Sequence, residues 1–100
     1  MTDISATLRE RGSRYGKFTD HARVTQSLKR AFYGSLDDWH KVNLDDDMRE
    51  AVDMIMHKLG RIACGDPKYA DSWHDIAGYA KLVDDRLAEL TATPRVEPTT

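Results

Sequence analysis

Apolar residues recur at helical spacing through the middle of the chain. After Asn43, a good helix cap, they fall at every third or fourth position, and Gly65 followed by Pro67 predicts the end of that helix. A second such helix is predicted from about Ser72 to Leu90, and the short connection predicts an antiparallel hairpin. The apolar positions are Met48, Ala51, Val52, Ile55, Met56, Leu59, Ile62 and Ala63 in the first helix, and Trp73, Ile76, Ala77, Ala80, Val83, Leu87 and Leu90 in the second.

Two further helices are predicted upstream of this hairpin. One is short, spans Ile4 to Arg11 and is expected to stop at Gly12. The other is capped by Thr19 or Asp20 and runs to about Phe32. The residues between them, 12–16, are predicted to form a loop.

The rest of the chain gives weaker patterns. Residues 34–42 are predicted to be irregular or briefly helical, and the tail at 91–100, with two prolines and four threonines, to be disordered. Neither repeats nor strand-like alternation occur. The sequence therefore predicts an all-α bundle of three to four helices over residues 1–90, as a single domain.

Composition narrows the class of protein. The chain has 100 residues, 11.4 kDa and a formal charge of −2. It shows neither an apolar run of membrane-spanning length nor a signal peptide, and the single Cys64 allows no intrachain disulfide and no thiol-rich metal site. We therefore expect a cytoplasmic protein that does not contact membranes. A core this small also favours a homo-oligomer.

Charge is distributed unevenly along the chain. Residues 1–35 carry +4, residues 36–60 carry −4 and the remainder −2. A basic segment beside an acidic one suits a phosphorylated ligand held with a divalent cation, and equally suits internal ion pairing. Nucleic-acid binding is disfavoured, because the basic residues form no dense stripe.

Acidic residues occupy the polar faces of the predicted hairpin. At about 100° per residue, Glu50 and Asp53 share one face of the first helix, and Asp71 and Asp75 share one face of the second. Such oxygen ligands suit one or two Mg²⁺ ions. Beside them, Lys58 and Arg61 would hold a triphosphate. The alternative is structural: ion pairs across the hairpin, a helix cap and solvated carboxylates.

Other residues are candidates for ligand contacts. In the predicted loop, Arg14 could bind a phosphate and Tyr15 could stack on a base. Alternatively, that segment is a tight turn whose tyrosine packs on the bundle. Tyr79 lies close to the predicted acidic site, where it could face a base or fill the core.

Three strings carry a resemblance to known proteins. Residues 11–18 (Arg-Gly-Ser-Arg-Tyr-Gly-Lys-Phe), 54–62 (Met-Ile-Met-His-Lys-Leu-Gly-Arg-Ile) and 71–80 (Asp-Ser-Trp-His-Asp-Ile-Ala-Gly-Tyr-Ala) resemble a family of small phage and prophage proteins of unknown function. The resemblance covers roughly residues 9–90. It implies a protein of the host cell cytoplasm.

The hairpin with paired acids is also distantly similar to the MazG-like all-α nucleoside triphosphate pyrophosphohydrolases. This resemblance implies Mg²⁺-dependent hydrolysis of a nucleoside triphosphate to a monophosphate and pyrophosphate. Glu50, Asp53, Asp71 and Asp75 would then carry the metal. The alternative hypothesis is a noncatalytic helical phage protein that binds a nucleotide signal or a host protein through the Arg14–Gly16 segment or an exposed helix face.

Overall fold

The computed structural model describes residues 3–91, and within this range every regular element is a helix. The all-α prediction is confirmed, with five helices in these residues, four of them substantial, where three to four were predicted. They are α1 (Ile4–Tyr15), α2 (Phe18–Gly34), α3 (Asp38–Asn43), α4 (Asp46–Cys64) and α5 (Ala70–Thr91). Residue 91, predicted to begin the disordered tail, is the last residue of α5; the rest of that tail, 92–100, lies outside the described residues.

Short polar side chains set the beginnings of several helices. The Asp3 carboxylate accepts a hydrogen bond from the Ser5 backbone N–H at 3.0 Å, and the Asp37 carboxylate accepts one from the His40 N–H at 2.8 Å. These caps begin α1 and α3. The short α3 falls in the segment predicted to be irregular or briefly helical.

The predicted loop at residues 12–16 is largely helical. Instead of stopping at Gly12, α1 continues to Tyr15, because one interior glycine costs a helix only about 1 kcal/mol. The chain turns at Gly16, whose φ of 82° is readily adopted by glycine alone. Its N–H donates to the Gly12 carbonyl at 2.9 Å and closes the helix.

The centre of the fold is α4, which packs against α2 on one face and α5 on another, while α2 and α5 do not contact each other. The α4–α5 hairpin is antiparallel, as predicted. Lys58 near the end of α4 pairs with Asp75 near the start of α5, and Asp47 at the start of α4 pairs with Arg86 near the end of α5. The first helix, α1, rests on α4 and α2.

A glycine allows α2 and α4 to approach closely. A Cβ at Gly60 would lie 2.5 Å from the Thr25 Oγ1 and 2.7 Å from the His21 Cδ2. Both of these α2 side chains are buried. The crossing therefore requires glycine at this position.

The buried apolar core is small. Only Ala51 and Met56 are buried hydrophobic residues among those described, and no side chain is wholly buried. The predicted stripe on α5 is largely exposed, with Trp73 54% and Leu90 64% accessible. Instead, α5 turns its Ser72 side toward α4, because the two ion pairs across the hairpin fix its rotation. None of the described helices is long and apolar enough to cross a membrane.

Candidate functional site

A cavity of about 550 Å³ opens where α1 meets the start of α2 and the last turns of α4. Its volume lies within the range of small-molecule sites. None of the described residues that line it is acidic. The lining residues are Leu8, Arg11, Gly12, Tyr15, Gly16, Lys17, Phe18, His21, His57 and Arg61.

Two glycines hold the wall of this cavity in place. A Cβ at Gly16 would lie 2.1 Å from the Cys64 carbonyl oxygen, and one at Gly65 would lie 2.2 Å from the Arg14 carbonyl oxygen. The Asp66 N–H donates to that Arg14 oxygen at 2.7 Å. The α1–α2 turn is therefore fixed against the end of α4.

This contact brings Tyr15 and Arg61 together. The guanidinium carbon of Arg61 lies 4.0 Å from the centre of the Tyr15 ring, a cation–π contact. Stacking holds the guanidinium plane and leaves its N–H groups available to a ligand. Within the described residues, Arg61 forms no ion pair with a carboxylate.

The cavity is electropositive at neutral pH. Burial, and then electrostatic interactions with His21, Arg61, Lys58 and Lys29 in the same direction, lower the pKa of His57 to about 4. His57 is therefore neutral at pH 7, and the cationic side chains that line the cavity, Arg11, Lys17 and Arg61, favour an anion there. The His21 Nε2–H donates to the His57 backbone carbonyl oxygen at 2.9 Å, which fixes the His21 ring, and the His57 ring packs edge-on against it at 4.5 Å.

The mouth of the cavity also has an apolar part and a helix terminus. Phe18 is 78% exposed, although it lines the cavity. It begins α2, and the preceding Lys17 makes no side-chain capping hydrogen bond. The N–H groups of the first turn of α2 therefore lack a side-chain acceptor, which favours an anion there.

The four predicted magnesium ligands do not meet in one cluster. Among residues 3–91, no group of three or more His, Cys, Asp or Glu side chains could hold a metal ion. One of the four, Asp53, accepts a hydrogen bond from the Tyr33 hydroxyl at 2.6 Å. Burial, and then this hydrogen bond, raises the pKa of Tyr33 to about 12.

The hairpin register explains this separation. Lys58 lies opposite Asp75, so Asp71 lies level with position 62 of α4. Asp53 is then about 14 Å away along the helix axis, and Glu50 about 18 Å, at 1.5 Å per residue. Glu50 and Asp53 lie in the N-terminal half of α4, and Asp71 and Asp75 lie near the N-terminus of α5. In an antiparallel hairpin these two N-termini lie at opposite ends of the helix pair.

The remaining predicted phosphate and base contacts are dispersed. Lys58 is buried and paired with Asp75 at 3.0 Å. Arg14 pairs with Glu10 at 2.6 Å and stacks over Tyr69 at 5.4 Å, outside the cavity. Tyr79 lines a separate, open groove on α5 that also includes His74, Asp75, Gly78 and Leu82. Of the predicted ligand contacts, the structure brings together Tyr15 and Arg61.

Sequence analysis missed several cavity residues. Arg11, Lys17, Phe18 and His21 were not predicted as ligand contacts, although all four line the cavity. The one sequence signal was the +4 charge of residues 1–35. The convergence of these four residues on Arg61 depends on the contact between the α1–α2 turn and the α4–α5 turn.

Comparisons with protein families, curated proteins and solved structures give no match to this chain. The resemblances to phage proteins and to MazG-like enzymes therefore rest on the motifs quoted above.

Proposed function

We propose that this protein binds a nucleotide in the cavity between α1, α2 and α4, without a metal ion. The observation that carries the proposal is the stacking of Arg61 on Tyr15 in a cavity lined by no acid. The proposal corresponds to the nucleotide-signal form of the noncatalytic hypothesis drawn from the sequence.

The cavity offers both kinds of contact that a nucleotide needs. Arg11, Lys17 and Arg61 supply cationic donors for phosphate oxygens. The exposed ring of Phe18 supplies a flat apolar surface for a base. The unoccupied N–H groups at the start of α2 add donors on the same side.

The side chains that line this cavity favour the binding of a phosphate without a metal ion. A magnesium ion would need oxygen ligands, and the lining residues within 3–91 include no carboxylate. Mg²⁺-dependent hydrolysis through Glu50, Asp53, Asp71 and Asp75 stays a prediction of the MazG-like resemblance, and the experiment below separates it from metal-free binding.

Isothermal titration calorimetry in EDTA tests the proposal with a panel of ribo- and deoxyribonucleoside mono-, di- and triphosphates and cyclic nucleotides. We expect binding of at least one, weakened about tenfold or more by Arg61→Gln, since a charge-assisted contact to phosphate is lost. Arg14→Gln is the matched control, because Arg14 lies outside the cavity, and it should leave the affinity unchanged.

Two results would contradict metal-free binding. One is the absence of heat with every member of the panel. The other is binding that requires Mg²⁺, disappears in Asp75→Asn and releases pyrophosphate from a triphosphate. That second result would instead support the hydrolase.

A further inference from the structure

The first helix, α1, is attached to the rest of the protein mainly at its C-terminal end. There the Asp66 N–H donates to the Arg14 carbonyl oxygen at 2.7 Å, and the Arg14 guanidinium donates to the Tyr69 hydroxyl at 3.3 Å. The preceding residues, 4–11, make no hydrogen bond or ion pair with another helix within the described part of the chain. We call residues 4–11 the arm of α1.

The arm has little packing to hold it in a helical conformation. Each of its residues is exposed, including Ile4 at 71% and Leu8 at 62%. A helix of 12 residues, the length of α1, is only marginally stable in water without tertiary packing. Gly12, which joins the arm to the attached end, lowers the helix propensity further. We therefore expect the arm to unfold locally while the rest of the protein stays folded.

The arm also supplies part of the wall of the cavity. Leu8 and Arg11 line it, and because they are three residues apart they share one face of α1. Tyr15, four residues further on, lines the same cavity from the attached end. The cavity is therefore complete only when the arm is helical.

The charges of the cavity oppose the helical arm when no ligand is present. Arg11 shares the lining with Lys17 and Arg61, and among residues 3–91 none of these three cations pairs with a carboxylate. Three like charges around one cavity repel one another. A phosphate group attracts all three, so an anionic ligand favours the conformation in which the arm completes the wall.

We propose that the arm is a lid that becomes ordered when a nucleotide enters the cavity, with Arg11 contacting a phosphate and Leu8 an apolar part of the ligand. The lid depends on the nucleotide site proposed above. Because the ligand binds the ordered arm better than the unfolded one, the helical stability of the arm and the affinity for the ligand are coupled. A substitution that destabilises the helix therefore weakens binding even where its side chain touches no ligand.

Amide hydrogen exchange tests the ordering, with the nucleotide that binds most tightly in the calorimetric panel. The amides of residues 8–12 should exchange rapidly in the free protein and at least about tenfold more slowly at saturating nucleotide. The amides of residues 54–60 in α4 are the control and should exchange slowly in both states. Slow exchange of 8–12 without a ligand, or rapid exchange with one, would overturn the lid.

Arg9 allows the helix to be altered without a change in the cavity. It is exposed and is not among the lining residues. Arg9→Ala and Arg9→Gly remove the same charge and differ in helix propensity, so calorimetry should show about fivefold weaker binding in the glycine variant. Equal affinities would mean that the arm does not order on binding.

A second pair of variants tests the contact of the arm with the ligand. Arg11→Gln should weaken binding about tenfold or more, because it removes a charged contact to phosphate. Arg9→Gln loses the same charge from a side chain that does not line the cavity, and should change the affinity by less than about twofold. Equal effects of the two substitutions would overturn the assigned contact of Arg11.

Calorimetry separates a failure of the lid from a failure of the site. If a nucleotide binds and Arg61→Gln weakens that binding, but the amides of residues 8–12 exchange alike with and without it, the site stands and the lid is wrong. If no nucleotide binds, both are wrong.

Discussion

The ammonium group of Lys58 lies 3.0 Å from a carboxylate oxygen of Asp75 and joins α4 to α5. The lysine is buried, with 7% of its surface exposed, whereas the Asp75 side chain is 42% exposed. The buried charge of Lys58 therefore depends on Asp75 for its compensation, whereas the carboxylate of Asp75 also contacts water. The pair also orients the Asp75 side of α5 toward α4.

Removal of Asp75 is predicted to destabilise the fold more than removal of the lysine. Asp75→Ala leaves a buried ammonium unpaired and should cost about 2 kcal/mol, less than the ~3–5 of a fully buried pair because water reaches the carboxylate. Lys58→Met replaces the charge with an apolar chain and should cost under about 1 kcal/mol. Urea denaturation of both variants measures the difference. Equal losses would contradict this account.

Tyr33→Phe is predicted to lower the free energy of unfolding by about 1 kcal/mol, because the hydroxyl donates to Asp53 at 2.6 Å. The hydroxyl ionises at pH 10 in the unfolded chain and at about 12 in the folded one. Its contribution is thus complete below pH 10 and is lost as the pH rises toward 12. Chemical denaturation between pH 8 and 11 should show a decline that is smaller in the variant. An equal decline in both chains would argue against the hydrogen bond.

The low pKa of His57 predicts a loss of stability in acid. The unfolded chain takes up this proton near pH 6.5, and the folded chain only near pH 4. The free energy of unfolding should therefore decrease as the pH falls from 6.5 toward 4. Because carboxylates also titrate in this range, the informative quantity is the difference between wild type and His57→Asn, which should have the flatter profile.

The same histidine reports on the cavity. If an anionic ligand binds beside it, the pKa of His57 should rise, since a negative charge favours the protonated ring. A pH titration followed by NMR, with and without a saturating nucleotide, measures this change. An unchanged pKa in the presence of a bound nucleotide would place the ligand elsewhere.

Two glycines on the hairpin should respond in opposite ways to the same substitution. Gly60→Ala forces a methyl group against Thr25 and His21 and should destabilise the protein by about 1–3 kcal/mol. Gly78→Ala meets open space and should stabilise it by about 0.5–1 kcal/mol through helix propensity. Thermal denaturation of both variants tests the close crossing of α2 and α4. Similar shifts in Tm would refute it.

The sequence by itself determined the helices. Their periodicity, caps and breakers act over a few residues, so α2, α4 and α5 were predicted to within a few residues of their observed ends. The exception was α1, which was predicted to stop at Gly12, because a single glycine does not necessarily end a helix.

Only the tertiary structure decided which helix faces meet. Periodicity gave α5 an apolar stripe, but Asp75 and Arg86 pair with α4 instead, and much of that stripe is exposed. The cavity likewise depends on the close approach of Gly16 to the Cys64 backbone and of Gly65 to the Arg14 backbone, which join segments far apart in the sequence. Helix propensity depends on neighbouring residues. The rotation of a helix about its axis and the contact between two loops depend instead on pairs of residues far apart in the sequence, and such pairs produce no periodic pattern.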